Sequence, residues 1–529
     1  MADSKGTSAG RGVLYIAFAK FYFMVAGLIV QFRLPAVLNH ISWGSYSFVN
    51  AMVSPVNNVL NTGTIQTVSR FSAQEPDKAR RVQQAGLRMH LRLGLPLALI
   101  YIAAAPAIGW VYSDASKVTP IALGGLILGG NAFYTVFVGT ANGMHQFHKQ
   151  AAFDITFATL RTIGLIGMAM MGLGVVGVMG GWVVAVGMIL VIAVIGVGLP
   201  GRIAAEDRLP LKPMFGYFLR VAVYLALFNL LMFVDTWLLK FLATGYYQDH
   251  ATTYASALRD TMPWATSSTG FHFSPSALAD VQVGYYAAVQ NLARLSYQAI
   301  IAATFVVFPL VSRSTFTEDK ATTRRYVEVT VRYSLIFASA IAVALAANPT
   351  EVLGIVYAPD YAAIGGPALG LLALGNIAFS VFAIAGTILN GAGFTLYATI
   401  TAGITLVIAA VGNFIAIPMA IESGHAIEVA AGVTSASMLI GAVTTGLVLR
   451  KKLGAFLPLL SLARIVVAAA VALAVGHYLP FHGRLMALAE CAVVGVVFLV
   501  VLVITRELGT RDLEAIKAVR RKRAPGGEA

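Results

Sequence analysis

Three cations and one carboxylate lie inside long apolar stretches of the sequence. Lys20 lies in "YIAFAKFYFMVAGLIV", Arg294 in "AAVQNLARLSYQAII", and Arg161 in the run that follows Asp154. Asp235 lies in "NLLMFVDTWLLKFL". A charge at the middle of a bilayer costs roughly 2.5–3.5 kcal/mol on insertion scales, so such residues usually face a bundle interior or a water-filled cavity. Because the deep charges are mainly basic, they favour an anionic substrate.

Helix geometry gives the depth of each residue. Lys20 lies about nine residues, or ~13 Å, into its run, and Arg161 and Arg294 lie comparably deep. Asp235 is shallower, ~9–10 Å below the end of its run. The polar residue at the depth of Lys20 in that run is Asn229. We therefore predict that Lys20, Arg294, Arg161 and Asn229 bind substrate and that Asp235 acts in coupling or gating.

A structural role is the alternative for each cation. Lys20 and Arg294 could be ion-pair partners rather than cavity cations. Asp154 lies seven residues before Arg161 on the same helical face, and it could pair with Arg161 in part. The sequence does not decide between a structural role and substrate binding for these cations.

The carboxylate of Asp235 has two interpretations as well. It could be a structural cap across the two halves of the repeat, or it could be a functional partner for a cation such as Arg294. Lys240 follows it by five residues, roughly 140° around a helix, so the two side chains do not face each other. We expect Lys240, near the membrane boundary, to reach water alone.

The composition decides what kind of elements hold these residues. The 529 residues are 58% hydrophobic and only 11% charged, with a mean hydropathy of +0.78, whereas soluble domains carry about 25% charged residues. The formal charge of +14 lies mostly in short loops between apolar runs, which is typical of membrane topology and not of nucleic-acid binding. The single cysteine, Cys491, excludes an intramolecular disulfide. The scattered histidines indicate no metal, and we expect no cofactor.

Apolar runs of about 20 residues are long enough to cross the ~30 Å hydrocarbon core as helices. They lack the strict alternation of barrel strands. The sequence therefore predicts an all-α polytopic membrane protein with about fourteen transmembrane helices. The predicted spans are 12–32, 45–68, 89–111, 119–142, 152–173, 176–197, 214–242, 284–311, 328–348, 364–388, 397–419, 426–449, 461–480 and 485–505.

Loop charges predict the orientation, because Lys and Arg concentrate in cytoplasmic loops. Alternate loops are strongly basic here, which places both termini in the cytoplasm. One segment on the opposite side, 243–282, is long, polar and rich in Ser and Thr. It is either a tolerated surface insertion or a cap that contacts substrate or gates its path.

Corresponding stretches recur about 240–250 residues apart. "WGSYSFVNAMVSPVNNVLNTGTIQTVSR" and "VGYYAAVQNLARLSYQAIIAATFVVFPLVSR" both open with Gly-x-Tyr and close with Val-Ser-Arg. "NAFYTVFVGTANG" matches "NIAFSVFAIAGTILNG" further along. This repeat predicts a six-helix bundle in 1–200, a second in 201–450 that carries the loop, and an extra helix pair with a basic tail in 451–529. Substrate sites in parallel-repeat transporters lie near the midplane between the repeats.

The ordered motifs resemble the multidrug/oligosaccharidyl-lipid/polysaccharide flippase superfamily, most closely its bacterial polysaccharide branch, the O-antigen-type flippases. The resemblance is carried by "LPAVLNHISWGSYSF", "VDTWLLKFL" followed by "VGYYAAVQNL", "LGIVYAPDYAAIGGPALGLLALG" and "GTILNGAGFTLY". It covers spans one to twelve. Family members usually keep the loop after the seventh-span Asp short, whereas here that loop has about 40 residues.

The resemblance implies a flippase of the bacterial inner membrane that works by alternating access. Its cargo would be a lipid-linked oligosaccharide on an undecaprenyl-pyrophosphate-type carrier, moved for lipopolysaccharide, O-antigen or exopolysaccharide synthesis. Spans one, two, seven and eight would line the central cleft, where Lys20 and Arg294 would contact the pyrophosphate or acidic sugars. Its partners would be this cargo, the membrane lipids and the polysaccharide polymerase and export machinery.

Three other functions remain as alternatives. An ion-coupled small-molecule exporter of the multidrug branch and a lipid II flippase share the same architecture. A membrane polymerase or transferase would need clustered carboxylates, but Asp249, Asp260 and Asp280 of the long loop form no close pair in sequence. The polar loops contain no P-loop motif, so ATP is not the direct energy source. We expect a transporter and not an enzyme.

Overall fold

The computed structural model describes residues 3–261, 274–298, 320–479 and 483–509, with side chains from residue 15 and, in the first of these ranges, to residue 250. In these ranges the chain forms α-helices and three short 3-10 turns, and no β-strand. Long apolar runs become helices because every backbone polar group must be satisfied internally in lipid. The predicted all-α polytopic fold class is confirmed.

The helices of the described ranges are numbered in chain order. They are α1 (Asp3–Val37), α2 (His40–Gln74), α3 (Ala79–Arg92), α4 (Gly94–Val111), α5 (Val118–Gly143), α6 (Phe147–Met170), α7 (Gly174–Val197), α8 (Leu211–Leu231), α9 (Val234–Thr261), α10 (Pro275–Ala293), α11 (Lys320–Ala347), α12 (Pro349–Val356), α13 (Pro359–Gly391), α14 (Thr395–Ile421), α15 (Ala426–Leu453), α16 (Leu459–Tyr478) and α17 (Arg484–Ile504).

Twelve helical segments of the described ranges are long and apolar enough to cross a membrane. The sequence predicts about fourteen spans, and the difference lies in its second and eighth spans. The second span corresponds to α2, which has 35 residues but carries many polar side chains. The eighth begins within α10, and its remaining part falls largely at 299–311, outside the described residues.

The predicted seventh span, 214–242, is wrong as one continuous helix. α8 ends at Leu231 and α9 begins at Val234. Between them, Met232 N donates to Asn229 O at 3.1 Å and Phe233 N donates to Leu230 O at 3.1 Å, which is the tight turn that commonly ends a helix. Asp235 therefore lies in the first turn of a new helix, where a carboxylate is stabilised by free backbone N–H groups.

The segment 243–282 is wrong as a loop over most of its described length. α9 continues past residue 242, is kinked at His250 and ends at Thr261. α10 starts at Pro275, while 262–273 lies outside the described residues. Within α9, Ala243, Thr244 and Tyr247 are buried. Their spacing of one, three and four residues places them on one helical face, so packing extends the helix through a polar sequence.

Internal contacts divide the chain into two compact units. The first unit comprises residues 1–288 and 399–434, and the second comprises 289–398 and 435–529. The predicted division into 1–200, 201–450 and 451–529 stays a prediction.

Within the first unit, α2 packs against α5 and α8, and α6 packs against α1 and α7. These helices position most of the predicted site residues. In the second unit, α11 packs against α13, α16 and α17. The buried carboxylate of Glu507, just after α17, lies 2.7 Å from Arg332 Nε and 3.4 Å from Arg464 Nη1, so it ties the last helix to α11 and α16.

Candidate functional site

Lys20 of α1 forms an ion pair with Asp154 of α6. Its Nζ lies 2.7 Å from Asp154 Oδ2, and the two side chains are 42% and 11% exposed. A second hydrogen bond joins α1 to α6 nearby, where the hydroxyls of Tyr22 and Thr159 are 2.8 Å apart. Of the two cations that the sequence places near Asp154, Lys20 reaches it from the neighbouring helix, whereas Arg161 lies seven residues, about 10 Å, further along α6.

Arg161 is half-buried and packs against one aromatic side chain. Its guanidinium carbon lies 4.2 Å from the centroid of the Trp182 ring of α7, a cation–π distance. Its Nε is buried and has no hydrogen-bond partner among the described residues. Helices α6 and α7 approach closely at Gly164 and Gly181, where a Cβ on Gly164 would lie 2.5 Å from Gly181 O. This close approach brings Trp182 next to Arg161.

Asn229 links α8 to α2. Asn58 Nδ2 donates to Asn229 Oδ1 at 2.9 Å, and Asn229 Nδ2 donates to Leu225 O at 2.8 Å. Asn229 is buried, whereas Asn58 is exposed. The mid-depth amide predicted from the sequence therefore orients an exposed amide of the neighbouring helix.

Asp235 is buried and accepts hydrogen bonds from three residues of the first unit. Tyr286 Oη donates at 2.6 Å, Thr434 Oγ1 at 3.2 Å and the backbone N–H of Thr236 at 2.7 Å. Hydrogen bonds to an ionised carboxylate stabilise its charged form. The side chain joins α9 to α10 and α15, which supports the structural interpretation of this carboxylate.

The five predicted site residues do not all belong to one unit. Lys20, Arg161, Asn229 and Asp235 lie in the first unit. Arg294 lies in the second, half-buried, one residue after the end of α10. Their assignment to substrate binding, coupling or gating stays a prediction.

A buried group of two lysines and two aspartates lies in the first unit at the side that the loop charges predict to be outside. This four-charge cluster consists of Lys117, Lys240, Asp114 and Asp280. Lys117 Nζ lies 2.5 Å from Asp280 Oδ2 and 2.9 Å from Asp114 Oδ2. Lys240 Nζ lies 2.8 Å from Asp280 Oδ1, but its hydrogen bonds are directed at Ser276 O and Oγ, at 2.6 and 2.7 Å.

The expectation that Lys240 reaches water alone is wrong, because its side chain is 0% exposed. Its charge is compensated by Asp280, which is 1% exposed, and the cluster as a whole is neutral. Burial raises the pKa of Asp114, but the charge of Lys117 and hydrogen bonds from Ser116 and Ser276 outweigh burial and hold that pKa below its ordinary value. This carboxylate of the cluster thus stays ionised at neutral pH.

The cluster was missed because its partners are far apart in sequence. Lys117 and Asp280 are separated by 163 residues, and only the pair of Asp114 and Lys117 is local. One signal was present: Asp114, Lys117 and Asp280 all fall in loops predicted on the same side of the membrane. Acidic and basic residues that lie at the same depth of a membrane protein usually form ion pairs with one another.

The two Gly-x-Tyr motifs of the repeat contact each other in the first unit. Trp43 Nε1 donates to Gly284 O at 3.0 Å, and a Cβ on Gly284 would lie 3.3 Å from Gly44 Cα. A Cβ on Gly44 would overlap the carbonyl oxygen of Asp280. Helices α2 and α10 can therefore cross at this point only because both residues are glycines.

We expect Gly44→Val to lower the free energy of unfolding by about 1–3 kcal/mol, because the new side chain pushes α10 away and displaces Asp280 from the cluster. Thermal unfolding of the purified protein in detergent measures the effect. The matched control is Gly187→Val in α7, where a Cβ meets nothing within 4 Å. Equal melting temperatures for the two variants would show that the crossing tolerates separation.

The class of protein follows from the fold together with comparisons to known proteins. A model of a family described as polysaccharide biosynthesis protein matches residues 37–269. The solved structure of the lipid II flippase MurJ in an inward closed conformation shares the fold, with a TM-score of 0.70 and 12% identity over 94% of this chain and 99% of that chain. None of the curated proteins matches the chain.

Transporters of the MATE type share the fold as well. A MATE structure in the straight conformation has a TM-score of 0.60 and 13% identity over 84% of this chain and 96% of that chain. The Vibrio cholerae MATE transporter VcmN in the bent form has a TM-score of 0.55 and 14% identity over 85% of this chain and 98% of that chain. The shared fold is that of a multi-pass membrane protein. Together with the family description of residues 37–269, it supports the predicted membership of the multidrug/oligosaccharidyl-lipid/polysaccharide flippase superfamily.

Proposed function

We propose that the protein flips a lipid-linked oligosaccharide, on an undecaprenyl-pyrophosphate-type carrier, across the bacterial inner membrane for surface polysaccharide synthesis. The single observation that carries this proposal is the half-exposed side chain of Lys20, whose ammonium is held by Asp154 in an apolar run. The family description of residues 37–269 supports a role in polysaccharide synthesis.

The geometry of Lys20 suits a phosphate ligand. An ammonium group has three donors, and Asp154 accepts one of them at 2.7 Å. The exposed donors can bind phosphate oxygens through charge-assisted hydrogen bonds, which are about twice as strong as neutral ones. Asp154 keeps the cation in place when no cargo is bound and limits the energetic cost of its burial.

The carboxylates at these positions are less suited to a cationic cargo. Asp154 is 11% exposed and neutralised by Lys20, and Asp235 is buried among three donors. Asp114 and Asp280 are compensated by two lysines. An exporter that selects cations needs an accessible carboxylate, so these residues favour an anionic cargo.

Alternating access requires one side of the passage to be closed while the other is open. The four-charge cluster joins the start of α5 to α9 and α10 within the first unit, and the α2–α10 crossing lies next to it. We assign these contacts to closure of the side that the loop charges predict to be outside. Breaking a buried cluster of this kind is costly, so cargo binding would have to offset that cost.

A second candidate is a lipid II flippase, which one observation favours. The shared fold extends over 99% of the MurJ chain. Lipid II would present the same pyrophosphate to Lys20, so the two functions differ only in the sugar part of the cargo.

Reconstitution in proteoliposomes tests the proposal. Three cargoes are supplied separately: an undecaprenyl-pyrophosphate-linked oligosaccharide, lipid II, and a cationic drug under a proton or sodium gradient. We expect the lipid-linked oligosaccharide to become accessible on the opposite leaflet at a rate that depends on the protein. Transport of the cationic drug alone would contradict the proposal, and transport of lipid II alone would establish the second candidate.

A further inference from the structure

A row of polar residues winds along α2 over most of its length. Asn50, Ser54, Asn58, Thr62 and Gln66 recur at every fourth residue, and each is half-buried or exposed. We call these five residues the α2 stripe. At 1.5 Å per residue the stripe covers ~24 Å, which is most of the thickness of a bilayer core of ~30 Å.

The stripe is polar but carries no charge. From residue 50 to residue 69 the sequence contains no Asp, Glu, Lys or Arg. Exposed amides and hydroxyls in contact with lipid tails cost free energy because nothing there can hydrogen-bond to them. This polarity also distinguishes α2 from the twelve segments that are apolar enough to cross a membrane. The stripe therefore faces water.

Helix packing does not account for the stripe. The buried face of α2 has polar groups of its own, and they are paired within the first unit: Asn131 Nδ2 donates to Asn57 Oδ1 at 2.8 Å, and Thr64 Oγ1 lies 2.8 Å from His90 Nε2. Among the described residues, the side chains of the α2 stripe take part in two hydrogen bonds. Ser54 donates to Asn50 at 3.1 Å, and Asn58 donates to Asn229 at 2.9 Å.

An unsatisfied acceptor lies beside the stripe. Asn61 Oδ1 is buried and has no hydrogen-bond partner within the described residues. It lies on α2 between Asn58 and Thr62. A buried polar atom without a partner costs about 1–3 kcal/mol, so this amide adds to the polar character of α2 beside the stripe.

Amides and hydroxyls both donate and accept hydrogen bonds, and so do the hydroxyls of sugars. An uncharged stripe gives no advantage to a phosphate. We propose that the α2 stripe binds the glycan of the cargo, whose hydroxyls exchange hydrogen bonds from one residue to the next as the cargo crosses. This inference rests on the proposed function for the identity of the ligand, and it divides recognition between Lys20 for the pyrophosphate and α2 for the sugars.

Cysteine labelling tests the position of the stripe without any cargo. In a Cys491→Ala background, Ser54→Cys, Asn58→Cys, Thr62→Cys and Gln66→Cys are each treated in membrane vesicles with a charged thiol reagent on both sides. Val184→Cys and Val191→Cys of α7, whose side chains are 53% and 58% exposed in an apolar run, are the controls. We expect labelling at least about tenfold faster in the stripe, because the thiolate forms in water and not in lipid. Labelling as slow as in the controls would overturn the inference.

Binding by the purified protein tests the ligand. The probes are bare undecaprenyl pyrophosphate and the same carrier with an oligosaccharide attached. We expect the combined variant Ser54→Ala, Thr62→Val and Gln66→Leu to bind the glycan-bearing probe about tenfold more weakly and the bare probe as wild type does. The matched control is Thr444→Val with Thr505→Val, whose hydroxyls bond only to carbonyls of their own helices.

The outcomes separate this inference from the proposed function. Equal affinity of wild type and variant for both probes, or an equal loss for both, would overturn glycan binding by α2 and leave the flippase proposal in place. A wild-type protein that binds neither probe would overturn the proposed function and glycan binding together. Fast labelling of the stripe would then still establish a water-facing α2.

Discussion

Asp280→Asn lowers the free energy of unfolding by about 3–5 kcal/mol, which is the cost of removing one partner from a buried ion pair. The change leaves Lys117 and Lys240, which are 3% and 0% exposed, with a single carboxylate. Thermal unfolding of the purified protein in detergent measures the loss. Asp249→Asn removes an exposed carboxylate from α9 and is the matched control, with an expected change within about 0.5 kcal/mol.

A compensating change separates charge balance from packing in this cluster. The double variant Lys240→Met with Asp280→Leu removes one cation and one anion, and it leaves Lys117 paired with Asp114 at 2.9 Å. We expect it to recover most of the stability lost in Asp280→Asn, because apolar replacements of a buried ion pair are often neutral or stabilising. A wild-type melting temperature for Asp280→Asn would contradict the role given to the cluster.

Lys20→Ala has the largest expected effect on transport. We expect the rate of flipping in proteoliposomes to fall by roughly 10- to 100-fold. This factor corresponds to the free energy of a hydrogen bond from a charged donor to phosphate. Lys20→Arg keeps a cation and should retain most of the activity. Lys149→Ala, which removes a half-buried lysine near the start of α6 whose Nζ donates to Gly196 O, is the control for a general loss of charge.

The ion pair with Asp154 requires one further variant. Lys20→Ala leaves the carboxylate of Asp154 without its partner, so it can reduce stability as well as transport. In Lys20→Gln with Asp154→Asn the pair is replaced by two neutral amides. We expect this double variant to fold with near wild-type stability and still to flip poorly. Wild-type flipping by the double variant would assign Lys20 to structure alone.

The sequence was sufficient to predict most of the membrane-spanning helices. Apolar runs specify helices in lipid regardless of tertiary contacts, and α5, α6 and α7 follow their predicted spans closely. Where polar residues are buried by tertiary packing, the prediction failed. The extension of α9 past residue 242 depends on buried side chains such as Tyr247, which no local pattern of hydropathy reveals.

The candidate site was predictable in its residue types but not in its pairings. Depth alone identified Lys20 and Asn229, because charged and amide groups are rare in lipid. Their partners, Asp154 and Asn58, lie 134 and 171 residues away, and one sequence contains no information on which helices meet. The repeat identified both Gly-x-Tyr motifs, but their contact through Gly44 and Gly284 depends on how α2 crosses α10.

The most direct test of the central claim is the sidedness of lipid-linked glycan in cells that lack this protein and have no redundant homologue. We expect undecaprenyl-pyrophosphate-linked oligosaccharide to accumulate on the cytoplasmic leaflet and surface polysaccharide to be lost. Wild-type protein should restore both, and Lys20→Ala should restore neither. Normal sidedness and normal surface polysaccharide in the deletion strain would contradict the flippase account.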